Sequence, residues 1–550
     1  MRKADRTIPK AARTSPAGRR GAALRVPALA LIASLAPLLW ACSAGAAPGG
    51  SAVEVARFVY YRSVVVPGRP VPYAYDLHNG PQRAEFSLQL RLPPGASLVS
   101  GAREVRGVLA PGEARRYEGR LVFDRAGVYR VSVQVRTSDG GVREADLELP
   151  VRDVFWRPRR FLLSAYNPPF ATHGPPYDDD VLRYYQDANF DHLLWVRDDP
   201  ELLAKVHDFG FRYYLDVADL IGEEKLRGEE GPPGEVTEED LQRLEEAVLA
   251  YRDDPLLTGY YICDEPFPAA FANIAKVVGR IRSLDPARPN FVNLYPYFSE
   301  EEGSPDYLEA FLQTVRPELL SFDRYIFYNG WDEKEEYLAQ LGLIRRYALA
   351  YDVPFVAILQ GVGTNGTPAA YLDWRTPTED EQRWLVYTSL AYGAHGIVWF
   401  HWDHPWGVTG NPDGEEVYPQ IQRLNEEINL LGPRLLPLTS SDVFGTAASL
   451  VAVPGRPGEK LVYSGSEMIV GVYRDRDGRE NHFMLTNMNY EEGLDAAVTV
   501  TRRLRSLEYF DLGTGSWRPV DFTNGNATAE FSAVLPPGGG LIFRFEGEGR

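Results

Sequence analysis

Gly259-Tyr260-Tyr261-Ile262-Cys263-Asp264-Glu265-Pro266 is the stretch whose reading decides the fold. Apolar and aromatic residues bounded by Gly and Pro read as a short, fully buried strand. The strand ends in two adjacent carboxylates, and Pro266 stops it because it has no N–H to give to a ladder. Carboxylates at the end of so apolar a run are costly to desolvate, which asks for a reason beyond packing. In a parallel α/β barrel the C-terminal ends of the strands form the active-site face. The plainer alternative is that Asp264 and Glu265 cap the helix predicted over 267–284.

Outward from that strand the same pattern recurs. Short apolar runs are predicted at Phe161–Tyr166, Asp191–Val196, Phe211–Val217, Tyr260–Asp264, Phe291–Tyr295, Leu319–Ile326, Phe355–Leu359 and Gly396–Trp402. Amphipathic helical segments separate them, for example over 180–188, 237–251, 305–315, 333–351 and 378–392. Thr378 and Glu381 have the spacing of a capping box, and Gly393 follows that helix as its stop. Eight strand–helix units predict a (β/α)8 barrel over 158–437. A doubly wound open sheet is the competing topology. It lacks its expected signal, since Asn167-Pro168-Pro169-Phe170 rather than a glycine-rich phosphate loop follows the first strand.

The flanks have a different period. Over 52–153, Phe86, Leu88, Leu90 and Leu92 alternate with polar residues, as do Val131, Val133 and Val135, with turn signals such as Asn79-Gly80 and Asp139-Gly140. This predicts an immunoglobulin-like β-sandwich. Residues 438–550 read as a second all-β unit with hairpin turns at Asp477-Gly478 and Asn524-Gly525.

The chain has 550 residues, enough for several cores. A net charge of −18 and a pI near 5.1 exclude nucleic acid as an expected partner, because a phosphate backbone would be repelled. Of the two cysteines, Cys42 follows the N-terminal apolar run and Cys263 sits in the buried strand, so no disulfide framework is predicted. Residues 1–42 carry a basic region, including Arg19, Arg20 and Arg25, and then the apolar run from Val26 to Trp40. This reads as an export signal. Leu39-Trp40-Ala41-Cys42 resembles a bacterial lipobox, which implies lipidation of Cys42, a linker over 43–51 and membrane anchoring through lipid at the cell surface or in the periplasm.

The predicted strand ends bring a set of side chains to one mouth: Tyr166, Trp195, Asp216, Asp264, Glu265, Asn293, Tyr295, Asp323, Tyr325, Gln360, His401, Trp402 and Asp403. Carboxylates, amides and aromatic rings without a cationic phosphate clamp suit a neutral polyol. Sugar faces stack on rings, and sugar hydroxyls need paired donors and acceptors. Trp399 and Trp402 are three apart in the last predicted strand, so one is expected in the core and one in the pocket. Asp178-Asp179-Asp180 reads as helix N-terminal charge. His401 and His404 with Asp403 read as sugar contacts or structure rather than a metal cluster. Glu223-Glu224 and Glu229-Glu230 read as a solvated lid or surface. No cofactor or metal is expected.

Asp264-Glu265-Pro266 on the fourth strand resembles the Asn-Glu-Pro acid/base motif of the clan A retaining glycoside hydrolases, and Leu390 to Phe400 has the look of related bacterial glycosidase-like barrels. The resemblance implies a glycoside hydrolase acting on an extracellular poly- or oligosaccharide, with Glu265 as acid/base, its proton retained through the neighbouring charge of Asp264. That clan places its nucleophilic Glu at the end of the seventh strand, where this chain has Gln360, which cannot ionise. Three readings remain open: a partner carboxylate from another strand, Asp323 first, with Asp216 or Asp403 behind it; a substrate-assisted hexosaminidase using Asp264 and Glu265; or a non-catalytic glycan-binding surface lipoprotein.

Overall fold

The computed structural model describes residues 53–170, 177–228, 233–296, 306–403, 407–446 and 460–548. The signal segment, Cys42, the linker, Glu229, Glu230 and His404 lie outside them.

Eight parallel strands form the central sheet: Leu162–Ala165, His192–Val196, Arg212–Asp216, Leu257–Asp264, Asn290–Leu294, Leu320–Arg324, Phe355–Gln360 and Gly396–Phe400. They are called here the first to eighth strands. The ladder runs in order from the second through the eighth and on to the first, so the sheet curls into a barrel. At the seam between first and second strands, hydroxyls join the edges. Tyr185 Oη accepts from the Ala165 N–H (2.9 Å) and donates to the His192 carbonyl (2.9 Å), while Ser164 Oγ donates to the same carbonyl (2.9 Å). A buried strand edge without such partners would leave polar groups unsatisfied.

Side chains alternate across the wall with the period of two that strands impose. Leu162, Leu194, Tyr214, Tyr261, Phe291, Val356, Ile358 and Val398 fill the barrel interior. Leu163, Leu193, Tyr213, Tyr260, Val292, Phe322, Ala357 and Ile397 face the helices. Those helices form where the sequence caps them. Asp178 accepts from the Asp180 N–H to begin Asp179–Asp187. Thr378 and Glu381 make the reciprocal capping box that begins Glu379–Ala391.

Before the barrel, residues 54–151 form two four-stranded antiparallel sheets around one apolar core that includes Tyr73, Leu88, Leu121, Val133 and Leu149. Three arginines tie this unit and the segment after it to the barrel helix Lys334–Tyr351. Arg62, Arg69 and Arg157 all reach Asp352 Oδ2, at 2.6, 2.8 and 2.7 Å. After the barrel come a six-stranded and a four-stranded antiparallel sheet. Phe444, Val470, Phe483, Val498 and Phe531 form a core between them. Ile469, Tyr473, Met484, Phe510 and Ile542 instead join the barrel's own core. Contact there is close: a Cβ added at Gly471 would meet the Ala391 carbonyl oxygen at 2.3 Å. Among the described residues no helix is long and apolar enough to cross a membrane.

Candidate active site

The fourth strand does not deliver its carboxylates by simple alternation. Tyr261 pairs with Phe291 but Cys263 with Val292, so one extra residue is inserted opposite the fifth strand. Such a bulge re-aims the side chains beyond it. Tyr261 and Asp264, three apart, therefore share the inner face, and Cys263 packs outward with the helices. Glu265 follows with φ +44° and gives its N–H to the Asn293 carbonyl (2.9 Å). A non-glycine residue in the left-handed region turns the chain sharply at the rim.

Asp264 Oδ1 accepts from Tyr166 Oη (2.6 Å) and from Asn293 Nδ2 (2.9 Å), and Asn293 Nδ2 also donates to Asp323 Oδ1 (3.1 Å). One amide thus bridges two carboxylates, and Tyr261 Oη joins Tyr166 Oη at 2.9 Å. Asp323 is only 4% exposed. Burial and the nearby charge of Asp264 push its carboxyl up to about 7. The charge of Asp264, expected to act on Glu265, is thus turned inward onto the Asp323 side of the site. Glu265 itself has the Arg227 guanidinium at 3.5 Å. Arg227 comes from the short helix Glu223–Arg227, whose Glu223 and Glu224 are exposed, as the surface alternative of the sequence reading has it.

Above this network is a cavity of about 210 Å³ lined by Glu265, Tyr295, Asp323, Arg324, Tyr325 and Trp374, with Pro296 and Tyr328. Its size is below the several hundred Å³ usual for pockets that enclose a whole ligand, so it suits one ring-sized group. Tyr325 stacks on Phe400 (4.4 Å between ring centres) and packs edge-on to Trp374 (4.8 Å). Four of the predicted site residues, Glu265, Tyr295, Asp323 and Tyr325, meet here. Asp264, Asn293 and Tyr166 lie in the network linked to Asp323. Trp195 packs edge-on to Tyr166 (4.6 Å), and the half-buried Asp216, its carboxyl raised to about 6 by burial, ends the third strand beside that network. Neither of the last two lines the cavity.

Other expectations are corrected. Gln360 is fully buried, and its amide is saturated by backbone. Oε1 accepts from the N–H groups of Ile326 (3.0 Å) and Phe327 (2.9 Å), and Nε2 donates to the carbonyls of Phe327 (3.1 Å) and Arg375 (2.9 Å). It latches two loops together and has nothing left for a sugar. Trp402 is buried among Tyr184, Tyr185, Phe190 and Tyr418 outside the barrel wall, and Trp399 donates to Asn425 Oδ1 (2.8 Å) on the same outer side. Neither tryptophan enters the pocket. The strand ends at Phe400, so alternation no longer governs Trp402. Phe400 is the inward ring, and the peptide joining it to His401 is cis. Asp403 clamps two loops, accepting from the Phe170 N–H (3.2 Å) and from Thr409 Oγ1 (3.1 Å). His401 is buried beside Phe400 and does not line the cavity.

Fold and site together define a parallel eight-stranded α/β barrel with a carboxylate pair in an aromatic cavity at its C-terminal rim. No family model matches the chain, and no curated protein matches it in sequence. Similar solved structures include a cycloisomaltooligosaccharide glucanotransferase of a Paenibacillus species, at 10% identity over 90% of this chain and 100% of that one, TM-score 0.44. Another is described as a glycoside hydrolase, at 11% identity over 71% and 93%, TM-score 0.45. A third is a family 39 glycoside hydrolase from Bacteroides cellulosilyticus, at 13% over 90% and 100%, TM-score 0.36. These likenesses carry no assignment of activity. The barrel stands on the chain's own sheet.

Proposed function

We propose that this chain is a glycoside hydrolase acting on an extracellular poly- or oligosaccharide, with Glu265 and Asp323 as its catalytic carboxylates. The observation that carries the reading is that these two side chains line one aromatic-walled cavity at the C-terminal rim of the barrel. Glycoside hydrolysis needs a carboxylic acid to protonate the leaving oxygen and a second carboxylate as nucleophile or base. Groups whose surroundings push their acidities apart reveal the division of roles. Asp323, buried and raised to about 7, still carries its proton in roughly half of the molecules at pH 7 and in most of them below that. Glu265, beside Arg227, supplies the carboxylate. This reverses the part that the clan A resemblance gives Glu265.

The same reading takes the chain as an exported lipoprotein anchored through Cys42, with the N-terminal sheets as an immunoglobulin-like spacer. Replacing Cys42 by Ala should release it from the membrane fraction.

The test is a polysaccharide and oligosaccharide panel read by reducing ends. Asp323→Asn and Glu265→Gln should each lower turnover by about 10²–10⁴-fold. The loss at Asp323 should shrink on an activated aryl glycoside, whose leaving group needs little protonation, and the loss at Glu265 should not. Unchanged turnover in either variant would remove that residue from the mechanism. Specific binding without cleavage by wild type would leave a glycan-binding protein.

A further inference from the structure

The loop after the sixth strand folds into a small antiparallel hairpin, Phe327–Tyr328 against Trp331–Asp332, turning at Gly330 with φ +85°. The rings of Tyr328 and Trp331 lie parallel, 4.1 Å apart and 5° from coplanar in tilt. Trp331 is nonetheless 49% exposed. Stacked on Tyr328, the exposed ring of Trp331 offers a flat apolar face to solvent.

It is held rigidly. The Asn329 N–H donates to the Asp373 carbonyl (3.1 Å), and Asn329 Nδ2 donates to Asp373 Oδ1 (2.9 Å) and Asn365 Oδ1 (2.9 Å). Tyr490, from the C-terminal sheets, donates to Asp332 Oδ2 (2.7 Å). The hairpin also bridges to Trp374 through Tyr328. Tyr328 and Trp374 both line the cavity that holds Asp323 and Glu265, and Tyr325 and Phe400 continue the aromatic wall inward. The rings therefore form a row from the carboxylates out to the surface, ending at Trp331. The charges nearby are balanced, Arg324 by Glu333 at 2.5 Å and Asp332 by Tyr490 and Lys334 (3.8 Å). Among the described residues at the hairpin, Arg324 and Lys334 each have a carboxylate partner.

We infer that the Tyr328–Trp331 stack is a carbohydrate subsite that binds a neutral pyranose ring of an oligosaccharide, beyond the ring that the catalytic cavity holds. The inference rests on the glycoside hydrolase reading for the direction of the chain, and on the stack itself for the binding. A pyranose presents a C–H face that packs flat on a ring, and its rim hydroxyls stay in water. The cavity accommodates one ring and the stack the next, so the substrate is an oligomer rather than a monosaccharide.

The experiment uses the full chain carrying Asp323→Asn, so that nothing is cleaved. Cello-, xylo-, manno- and malto-oligosaccharides of one to six units are titrated by calorimetry and by tryptophan fluorescence. For the series that binds, affinity should rise steeply between one and three units. Adding Trp331→Ala should weaken the longer ligands by roughly tenfold, the upper range of a well-made ring contact, and Trp331→Phe should restore most of it. Tyr371→Ala is the control, since Tyr371 is 83% exposed but makes no ring contact among the described residues. It should leave affinity unchanged. In the active enzyme Trp331→Ala should raise KM on a hexasaccharide with little change in kcat.

Equal affinity of the Trp331→Ala and parent proteins for every oligosaccharide would overturn the subsite. So would a dimer, seen by light scattering, that Trp331→Ala dissociates while saccharide affinity stays the same. Absence of turnover by wild type, with binding that still falls tenfold in Trp331→Ala, would sink the hydrolase reading and leave the subsite standing.

Discussion

Gln360→Glu offers the sharpest trial of how this site is built. If the seventh strand held a vacant nucleophile position, restoring a carboxylate there would favour catalysis. The hydrogen bonds say otherwise. In the variant one oxygen keeps the N–H groups of Ile326 and Phe327, but the other must face the carbonyls of Phe327 and Arg375, at the 3.1 and 2.9 Å where Nε2 now donates. A carboxylate oxygen against two carbonyls in a fully buried site is untenable, so the new residue takes up a proton and donates to one of them. The other carbonyl loses its donor, at a cost of about 1 kcal/mol. Holding the acid protonated at pH 7, against an ordinary Glu pKa near 4.3, adds about 1.4 kcal/mol per pH unit, roughly 4 kcal/mol in all. The folded-state pKa is raised, so the penalty is small below the unfolded value and grows as pH rises toward the folded one. For a unit of this size about 5 kcal/mol lowers the melting temperature by on the order of 10 °C or more at pH 7, and about 1 kcal/mol lowers it by only a few degrees at pH 4. Thermal unfolding of wild type and variant at both pH values measures this directly. A melting-temperature difference independent of pH, or a variant with gained hydrolytic activity, would refute the latch.

Three further outcomes follow from the same structure. Turnover should fall tenfold per pH unit above about 7, as Asp323 loses the proton that burial and Asp264 hold on it, and a rate flat from pH 6 to 9 would contradict its role as acid. Tyr185→Phe removes the hydroxyl that bridges Ala165 and His192 across the barrel seam, and should cost about 2 kcal/mol in thermal unfolding without touching the cavity. Thr378→Ala deletes one half of the capping box on Glu379–Ala391 and should cost about 1 kcal/mol, with circular dichroism reporting the loss of cooperativity.

The barrel was legible because each strand is a short apolar run closed by punctuation. All eight observed strands fall within a few residues of the predicted spans, and the helix Glu379–Ala391 begins at the Thr378 capping box that the sequence advertises. Glu265, Asp323, Tyr295 and Tyr325 were legible because they stand at or just beyond strand ends. What escaped came from outside the periodic elements. Trp374, Tyr328 and Trp331 lie in loops where no period tells inside from outside, and Arg227 in a short helix masked by acidic neighbours. Trp402 was misplaced because alternation was carried two residues past the strand's end. Gln360 faces inward as the period requires, but no pattern in one sequence reveals that four backbone groups would claim its amide. The bulge at Cys263, which turns Asp264 inward, is likewise set by the fifth strand's register rather than by any local residue.

The intimacy between the barrel and the C-terminal sheets bears on how this chain can be divided. Gly471 sits hard against Ala391, Tyr473 Oη donates to the Leu390 carbonyl (2.7 Å), and Met484 and Ile542 belong to the barrel's apolar core. A cut near residue 438 would strip a greasy face from the helix Glu379–Ala391 and remove Tyr490 from under the aromatic hairpin. A cut between 151 and 158 would take Tyr61 off the barrel's apolar core and break the Arg62 and Arg69 bridges to Asp352. The barrel and its last domain are therefore a single heritable part. A lesion in the C-terminal strands that displaces Tyr490 should register at the hairpin, through the lost hydrogen bond to Asp332.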